Sequence, residues 1–253
     1  MSDPYLYPIT KVLKNKLHIH NHKKLAVAEG QYVGFRKAEL LDGVQTGRIT
    51  LPDIHSPECL QYIHNYLFQD VYEWAGDFRQ MNMYKNEIAL RGRTVDYAEY
   101  HSISARLQHV MDQAQNNDWY TILRTNTPLF ANYIATLWQI HPFREGNTRT
   151  ISTYMEMFLN EHDCEIDSVT MMFQGRRFRE NMTLYTSGPQ FQKVGFERLM
   201  KNLVVPIDEV CLKFSCNRRE TDMEFAKDNA LVFAEDQGSH FHTRNQSYIK
   251  QTR

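Results

Sequence analysis

The residues best suited to chemistry lie close together near the middle of this 253-residue chain, within the segment 139–150. An imidazole, a carboxylate, a glycine, an amide and a guanidinium follow one another there: His141, Glu145, Gly146, Asn147 and Arg149. Together these groups can bind a phosphate and a metal ion beside a base. The segment is therefore a candidate site for a phosphorylated ligand.

The turn after the histidine combines the features of an anion site. Gly146 allows the backbone to bend tightly and lets a ligand approach it. The residues after it are predicted to begin a helix, whose first backbone N–H groups lack an intrahelical acceptor and attract anions. Asn147 can add an amide donor, and Arg149 can add a charged fork for another phosphate oxygen.

Glu145 and His141 supply the remaining parts of such a site. The Glu145 carboxylate is a hard oxygen ligand, suited to Mg²⁺ that bridges phosphates. His141 is a base whose usual pKa lies near neutral pH. The combination predicts a site that holds a nucleoside triphosphate with Mg²⁺ and deprotonates an attacking hydroxyl.

Each of these residues also has an ordinary structural interpretation. His141 could be a helix-end histidine, and Glu145 and Arg149 could be an i,i+4 ion pair. Gly146 and Asn147 could form an ordinary turn. The chemical interpretation is favoured because all five residues occur between 141 and 149, flanked by two strongly helical segments.

Two predicted helices flank and position this turn. Thr127 and Pro128 begin the first, whose apolar residues recur at helical spacing: Leu129, Phe130, Tyr133, Ile134, Leu137 and Ile140. The second is predicted over 150–162. Capping residues and apolar spacing predict further helices at 11–17, 22–41, 57–75, 97–115, 119–124, 169–182 and 190–204, with one or two more within 207–235.

The segment 79–94 has a different pattern. Its apolar residues alternate with polar ones on both sides of the turn-forming Lys85-Asn86-Glu87. This alternation predicts a β-hairpin or flap, which would be nearly the only β-structure in the chain. The predicted fold class is therefore all-α with one small β-hairpin.

Composition limits the classes of protein that fit. The chain has enough apolar residues, 42%, to build a core, and its length fits one large domain or a domain with a smaller appendage. The net charge of −1 argues against a nucleic-acid partner bound through bulk positive charge. The four cysteines form no C-x-x-C pair, which favours a reducing compartment. We find neither an apolar run that could span a membrane nor a secretory signal, so we expect a cytoplasmic protein without a membrane partner.

The segment 141–149, His-Pro-Phe-Arg-Glu-Gly-Asn-Thr-Arg, resembles the Fic motif, which is written H-P-F-x-D/E-G-N-G-R-x-x-R. The resemblance extends to Tyr5-Leu-Tyr-Pro8 and to Val71-Tyr-Glu-Trp-Ala-Gly76, the helix that precedes the flap in this family. It runs from about residue 3 to residue 204.

This resemblance implies a domain organisation. We expect a Fic domain with an N-terminal extension over 1–204, with its core at about 56–204. The segment 205–253 is then a C-terminal extension that is helical or partly disordered. The implied fold is an all-α helical bundle with a small β-hairpin flap over the active site.

The implied activity is transfer of AMP from ATP–Mg²⁺ to a Ser, Thr or Tyr hydroxyl of a target protein, so ATP and Mg²⁺ are the expected cofactors. In that activity His141 is the general base and Glu145 holds Mg²⁺. The expected nucleotide-binding residues are Gly146 and Asn147 at the α-phosphate, Arg149 at the distal phosphates, and Thr148 beside them. The flap would align the target by strand addition. Its expected docking residues are Asn82, Met83, Tyr84 and Lys85.

The sequence departs from the motif at two positions. Thr148 replaces the second glycine, and Ser152 replaces the final arginine, which grips the γ-phosphate in the family. Losing that arginine removes a charged contact of about 1.5–3 kcal/mol. Two alternatives to AMP transfer follow: a Fic-like transferase that uses another nucleotide or phosphate donor, or a non-catalytic nucleotide-binding interaction module.

Regulation and location are predicted only in outline. Many family members carry an inhibitory helix with the pattern S/T-x-x-x-E-G/N. Neither Glu29-Gly30, with Leu25 ahead of it, nor Glu180-Asn181, with Arg176 ahead of it, fits that pattern. A separate small antitoxin-like protein is an alternative inhibitor. Translocation into a host cell as an effector is the alternative to a cytoplasmic location.

Overall fold

Eight helices account for most of the residues that the computed structural model describes, which are 3–189 and 192–207. They are α1 (His22–Gln45), α2 (Pro57–Phe68), α3 (Ile103–Gln115), α4 (Trp119–Thr125), α5 (Thr127–Ile140), α6 (Asn147–Glu161), α7 (Ser168–Ser187) and α8 (Lys193–Leu203). Two short 3-10 helices, Ile88–Leu90 and Tyr100–Ser102, lie between α2 and α3. The predicted all-α fold class is confirmed.

Side-chain caps set the starts of the predicted helices. The Ser56 hydroxyl accepts the backbone N–H of Cys59 at 3.3 Å, and Pro57 occupies the first helical position of α2. The Asn21 side chain accepts the backbone N–H of Lys24 at 3.1 Å at the start of α1. Both caps are those that the sequence predicts.

Helices α5 and α6 lie at the centre of the bundle. Helix α5 packs against α3, α4, α6, α7 and α8, and α6 packs against α2. Their fully buried large side chains are Phe130, Trp138, Tyr154 and Phe158. Because both helices are buried over most of their surface, the turn that joins them is anchored firmly at each end.

The two strands of the described residues form a small antiparallel sheet. Strand β1 (Cys164–Ile166) pairs with β2 (Val204–Pro206), with Cys164 opposite Pro206. The sheet joins the start of α7 to the end of α8. This sheet is not predicted from the sequence, because three-residue strands carry too few residues to show an alternating pattern.

The predicted pairing of two strands within 79–94 is wrong. The segment reverses direction as a hairpin does, but the backbone N–H of Glu87 donates to Arg93 at 3.0 Å and that of Gly92 donates back to Glu87 at 2.9 Å around a 3-10 turn. Among the described residues this segment forms no ladder. One reason is that Arg91 and Gly92 have left-handed φ angles of 56° and 84°, which turn the chain where the second strand would run.

The predicted helix at 11–17 is also wrong. Leu6 and Leu13 form an isolated antiparallel bridge, and the backbone N–H of Tyr7 donates to Val12 at 2.8 Å. Lys11 has a left-handed φ of 57°, which turns the chain instead of continuing a helix.

Other boundaries shift by a few residues. Helix α2 ends at Phe68 and not near 75, and α6 begins at Asn147, three residues before its predicted start. Apart from 205–207, the predicted C-terminal extension lies outside the described residues, so the predicted division at 204 stays a prediction. Within the described part of the chain, no helix is both long and apolar enough to cross a membrane.

Candidate active site

His141 lies directly after the last residue of α5. Its left-handed φ of 52° turns the chain out of the helix, and its backbone N–H donates to the Trp138 carbonyl at 3.1 Å. The ring nitrogen Nδ1 lies 3.3 Å from the same carbonyl, so Nδ1 carries the proton and Nε2 is left as the acceptor. The Tyr97 ring packs on the imidazole with 4.1 Å between ring centroids. The structure therefore fixes the tautomer that a general base needs.

The surroundings of His141 keep its ring neutral. Burial lowers the pKa of His141 well below its usual range, and the positive charges of Arg79, Arg179 and Lys85 lower it further. A neutral imidazole is the form that can accept a proton from a hydroxyl.

Arg79 fastens the turn to the segment that follows α2. Its backbone N–H donates to the Pro142 carbonyl at 2.8 Å, and its Nε donates to the His141 carbonyl at 2.8 Å. The residue is only 1% exposed, and burial lowers its pKa to about 10. The role of Arg79 is not predicted from the sequence, because no motif connects it to a residue 62 positions later.

The Asn147 side chain braces the turn internally. Its Oδ1 accepts the Phe143 backbone N–H at 2.9 Å, and its Nδ2 donates to the Phe143 carbonyl at 2.8 Å. The predicted amide donor is therefore already engaged within the protein. The backbone N–H of Asn147, in the first turn of α6, is the group that can face an anion.

Replacing Asn147 with aspartate is expected to lower the free energy of unfolding by about 3 kcal/mol, because a buried carboxylate would then face the Phe143 carbonyl without a donor between them. Urea denaturation followed by circular dichroism measures this. The matched control is Asn116→Asp, which removes an exposed amide donor at the end of α3 and is expected to change stability by less than about 0.5 kcal/mol. Equal losses in the two variants would contradict the bracing role.

His64 supports the same turn from α2. Its ring stacks on Phe143 with 3.9 Å between centroids and 9° between planes. Nδ1 accepts the Gly76 backbone N–H at 2.8 Å, and Nε2 donates to the Glu145 carbonyl at 3.1 Å. Only the neutral ring can make both bonds at once, because a protonated Nδ1 could not accept, and burial lowers the pKa of His64 to about 3.

This histidine predicts a loss of stability in mild acid. Its folded-state pKa lies below the ordinary 6.5, so its contribution is fully present above pH 6.5 and is lost as pH falls towards 3. Between pH 6.5 and pH 3, we expect His64 to add about 1.4 kcal/mol per pH unit to the fall in the free energy of unfolding. Urea denaturation at a series of pH values measures the slope. His64→Asn should be less stable at neutral pH but lose less on acidification, and an unchanged slope would contradict this.

Gly146 occupies a position where any side chain would be strained. Its φ is 80°, and a Cβ atom built there would lie closer than 3.0 Å to two ring carbons of Phe68. Its carbonyl accepts the Thr150 backbone N–H at 2.9 Å within the first turn of α6. The glycine therefore allows the close approach of α2 to the start of α6.

Glu145 is partly exposed beside the turn. Its Oε1 accepts the Gly146 backbone N–H at 2.9 Å and lies 3.6 Å from Nη2 of Arg149. No group of three metal-binding side chains occurs among the described residues. One carboxylate is nevertheless a normal protein contribution for Mg²⁺, which usually takes its other ligands from phosphates and water. The residues present therefore fit a Mg²⁺ that arrives with a nucleotide.

Arg149 is mostly buried at the start of α6. Its Nη2 forms an ion pair with Glu29 of α1, and its guanidinium carbon lies 4.8 Å from the centre of the Phe68 ring. The Tyr72 hydroxyl donates to the other oxygen of Glu29. Glu29 does not fit the inhibitory sequence pattern, and its contact with Arg149 is not predicted.

The side chains at the two positions that depart from the motif both form hydrogen bonds within the protein. The Trp138 indole N–H donates to the Thr148 hydroxyl at 3.1 Å, which ties the start of α6 to α5. The Ser152 hydroxyl donates to the Arg149 carbonyl at 2.9 Å and is almost fully buried. Thr148, predicted to bind nucleotide, thus also has a structural partner.

The four predicted docking residues lie in the loop at 79–94. The Asn82 side chain accepts the Tyr100 backbone N–H at 2.9 Å, and the backbone N–H of Lys85 donates to the Thr94 hydroxyl at 3.2 Å. Met83 and Lys85 are buried, whereas Asn82 and Tyr84 are half-buried. Whether they dock a target stays a prediction.

The far side of this loop is held against α7. Glu87 accepts a bond from Nη2 of Arg179 at 2.7 Å and from the Tyr97 hydroxyl at 3.2 Å. Because Tyr97 also covers the His141 ring, the loop, α7 and the histidine form one connected group.

Residues 54–159 match the model of the Fic/DOC family. The chain is 30% identical over 194 residues to the probable protein adenylyltransferase y4lH of Sinorhizobium fredii. This match covers 74% of the chain and 90% of y4lH. It is 29% identical over 168 residues to the protein adenylyltransferase VbhT of Bartonella schoenbuchensis, covering 66% of this chain. The chain spans only 32% of the length of VbhT.

Two solved structures share the fold. The N-terminal Fic domain of a Bartonella effector protein matches with a TM-score of 0.66 and 22% identity, over 81% of this chain and 92% of that one. The BepC protein of Bartonella tribocorum, with bound AMPPNP, matches with a TM-score of 0.60 and 22% identity, over 80% of this chain and 96% of that one.

Proposed function

This chain belongs to the Fic/DOC family, and from that premise we propose that it is a protein adenylyltransferase, which moves AMP from ATP to a hydroxyl of a target protein. The observation that carries the proposal is the neutral imidazole of His141, with Nε2 as acceptor, placed directly before a glycine turn that opens α6. The relatives named as adenylyltransferases support the same reaction.

In the proposed reaction, the turn after His141 binds the phosphates of ATP. The backbone N–H of Asn147 binds the α-phosphate beside the Gly146 turn, because the Gly146 N–H already donates to Glu145, and Arg149 binds the distal phosphates. Nε2 of His141 takes the proton of the target hydroxyl as its oxygen attacks the α-phosphorus. The new O–P bond forms while the bond from the α-phosphorus to the β-phosphate oxygen breaks, and pyrophosphate leaves.

Mg²⁺ would be held by Glu145 and would supply charge neutralisation of the phosphates. ATP as the donor is supported by the AMPPNP bound in the BepC structure, which shares the fold. The target segment would lie along the loop at 79–94, beside Asn82, Met83, Tyr84 and Lys85.

The missing arginine at Ser152 favours a second candidate, a transferase that uses another nucleotide or phosphate donor. The test is mass spectrometry of proteins from a bacterial lysate, incubated with the enzyme and Mg²⁺ and with ATP, GTP, CTP or UTP in turn. Addition of AMP to a Ser, Thr or Tyr side chain with ATP supports the proposal. Modification only with another nucleotide supports the second candidate, and binding without modification supports an interaction module.

The place where the protein acts depends on where its target protein lies. The protein would be made in the cytoplasm and act there, or would be translocated into a host cell, as the Bartonella effectors are named to be. A small antitoxin-like inhibitor stays a prediction.

A further inference from the structure

We propose that Glu29 is a positioning residue, which anchors the Arg149 guanidinium from α1 so that its remaining donors are presented to the nucleotide phosphates. The proposal rests on the proposed function. It assigns a role to a residue outside the motif and more than a hundred positions before it in the chain.

Glu29 is a buried carboxylate with a well-defined set of partners. The residue has no exposed surface, and its two oxygens accept bonds from Nη2 of Arg149 and from the Tyr72 hydroxyl. A buried carboxylate costs free energy unless it is paired, and replacing both partners of a buried ion pair with apolar residues is often neutral for stability. Stability alone therefore gives little reason for a glutamate here.

The contacts of Arg149 leave part of its guanidinium available. Nη2 contacts Glu29 and lies 3.6 Å from Glu145, while the Phe68 ring covers the guanidinium at 4.8 Å. The other two nitrogens, Nε and Nη1, have no hydrogen bond within the described part of the chain. A guanidinium held by one nitrogen can still donate from the others in a fixed direction.

The charges around Arg149 distinguish a positioning role of Glu29 from a purely electrostatic one. Glu29 and Glu145 are both negative, so two carboxylates surround one guanidinium, and their charge opposes a phosphate. If Glu29 only set the charge of the site, its removal would strengthen nucleotide binding. If it holds Arg149 in place, its removal weakens binding, because the fork is no longer oriented.

The ion pair of Lys37 with Glu156 provides a matched control. It also joins α1 to α6, at 2.8 Å, but contacts neither Arg149 nor the turn. Lys37→Met removes a charge contact between the same two helices. An effect that arises from helix docking would appear in both variants, whereas an effect on Arg149 would appear only at Glu29.

The experiment measures KM for ATP and kcat for AMP transfer in Glu29→Gln and Lys37→Met, with unfolding temperatures as a check on folding. Arg149 is expected to bind the distal phosphates equally well in the ground state and in the transition state. We therefore expect KM to rise about tenfold or more in Glu29→Gln, with a smaller change in kcat. Lys37→Met should leave both constants unchanged. Should Glu29→Gln fail to fold, Glu29→Asp, which keeps the charge but shortens the reach, is expected to raise KM as well.

An unchanged or lower KM in the folded Glu29 variants, or higher activity than wild type, would overturn the positioning role. Wild-type protein that transfers no AMP would instead refute the proposed function, so the two failures are distinguishable.

Discussion

Replacing His141 with alanine is expected to lower kcat for AMP transfer by about 10²–10⁴-fold while ATP still binds. The reason is that Nε2 of His141 is the acceptor placed at the turn, whereas the proposed phosphate-binding groups follow it on α6. Single-turnover transfer of label from ATP measures the rate, and calorimetry with a non-hydrolysable ATP analogue measures binding.

A control is needed because His141 has a left-handed backbone conformation, with φ at 52°. Alanine is strained there, whereas asparagine adopts this conformation more readily. His141→Asn should therefore fold better than His141→Ala and be equally inactive. Activity retained in His141→Asn would show that the histidine serves the turn and not the proton transfer.

Replacing Gly146 with alanine is expected to lower the free energy of unfolding by about 2–5 kcal/mol and to abolish transfer. Part of the loss comes from the left-handed φ of 80°, and the rest from the Cβ atom, which would overlap the ring of Phe68. Relief of that overlap would move α2 away from the start of α6, where the proposed anion-binding N–H of Asn147 lies. Urea denaturation and transfer assays measure the two effects.

A substitution at Gly47 separates the contribution of backbone strain from that of the overlap with Phe68. It also has a left-handed φ, of 70°, but a Cβ atom there would meet nothing within 4 Å. Gly47→Ala should cost only the backbone strain, about 1–2 kcal/mol. The overlap itself is tested by Phe68→Leu combined with Gly146→Ala, where we expect a coupling of about 0.5–3 kcal/mol. Strict additivity of the two substitutions would contradict the overlap.

The sequence predicts well what depends on neighbouring residues. Helix α5 and the turn from His141 to Arg149 are recognisable because apolar spacing, the glycine and the charged groups are all local. The fold class is confirmed for the same reason. The loop at 79–94 shows the limit of local patterns, since its alternation resembles that of a strand pair whereas the left-handed φ angles of Arg91 and Gly92 turn the chain.

The sequence does not predict contacts between distant segments. Glu29, His64 and Arg79 lie on α1, on α2 and in the segment that follows it, and each meets the turn only through the packing of the bundle. Asn147 is a subtler case. It lies in the turn that the sequence singles out, but only the structure reveals that its side chain bonds to the backbone of Phe143.

The most direct test of the central claim compares two labels. The protein is incubated with Mg²⁺, a bacterial lysate and ATP labelled either at the α-phosphorus or at the γ-phosphorus. The site geometry predicts that the α label appears on a target protein in a His141-dependent manner and that the γ label does not. Transfer of the γ label, or of the α label by His141→Asn, would contradict the account.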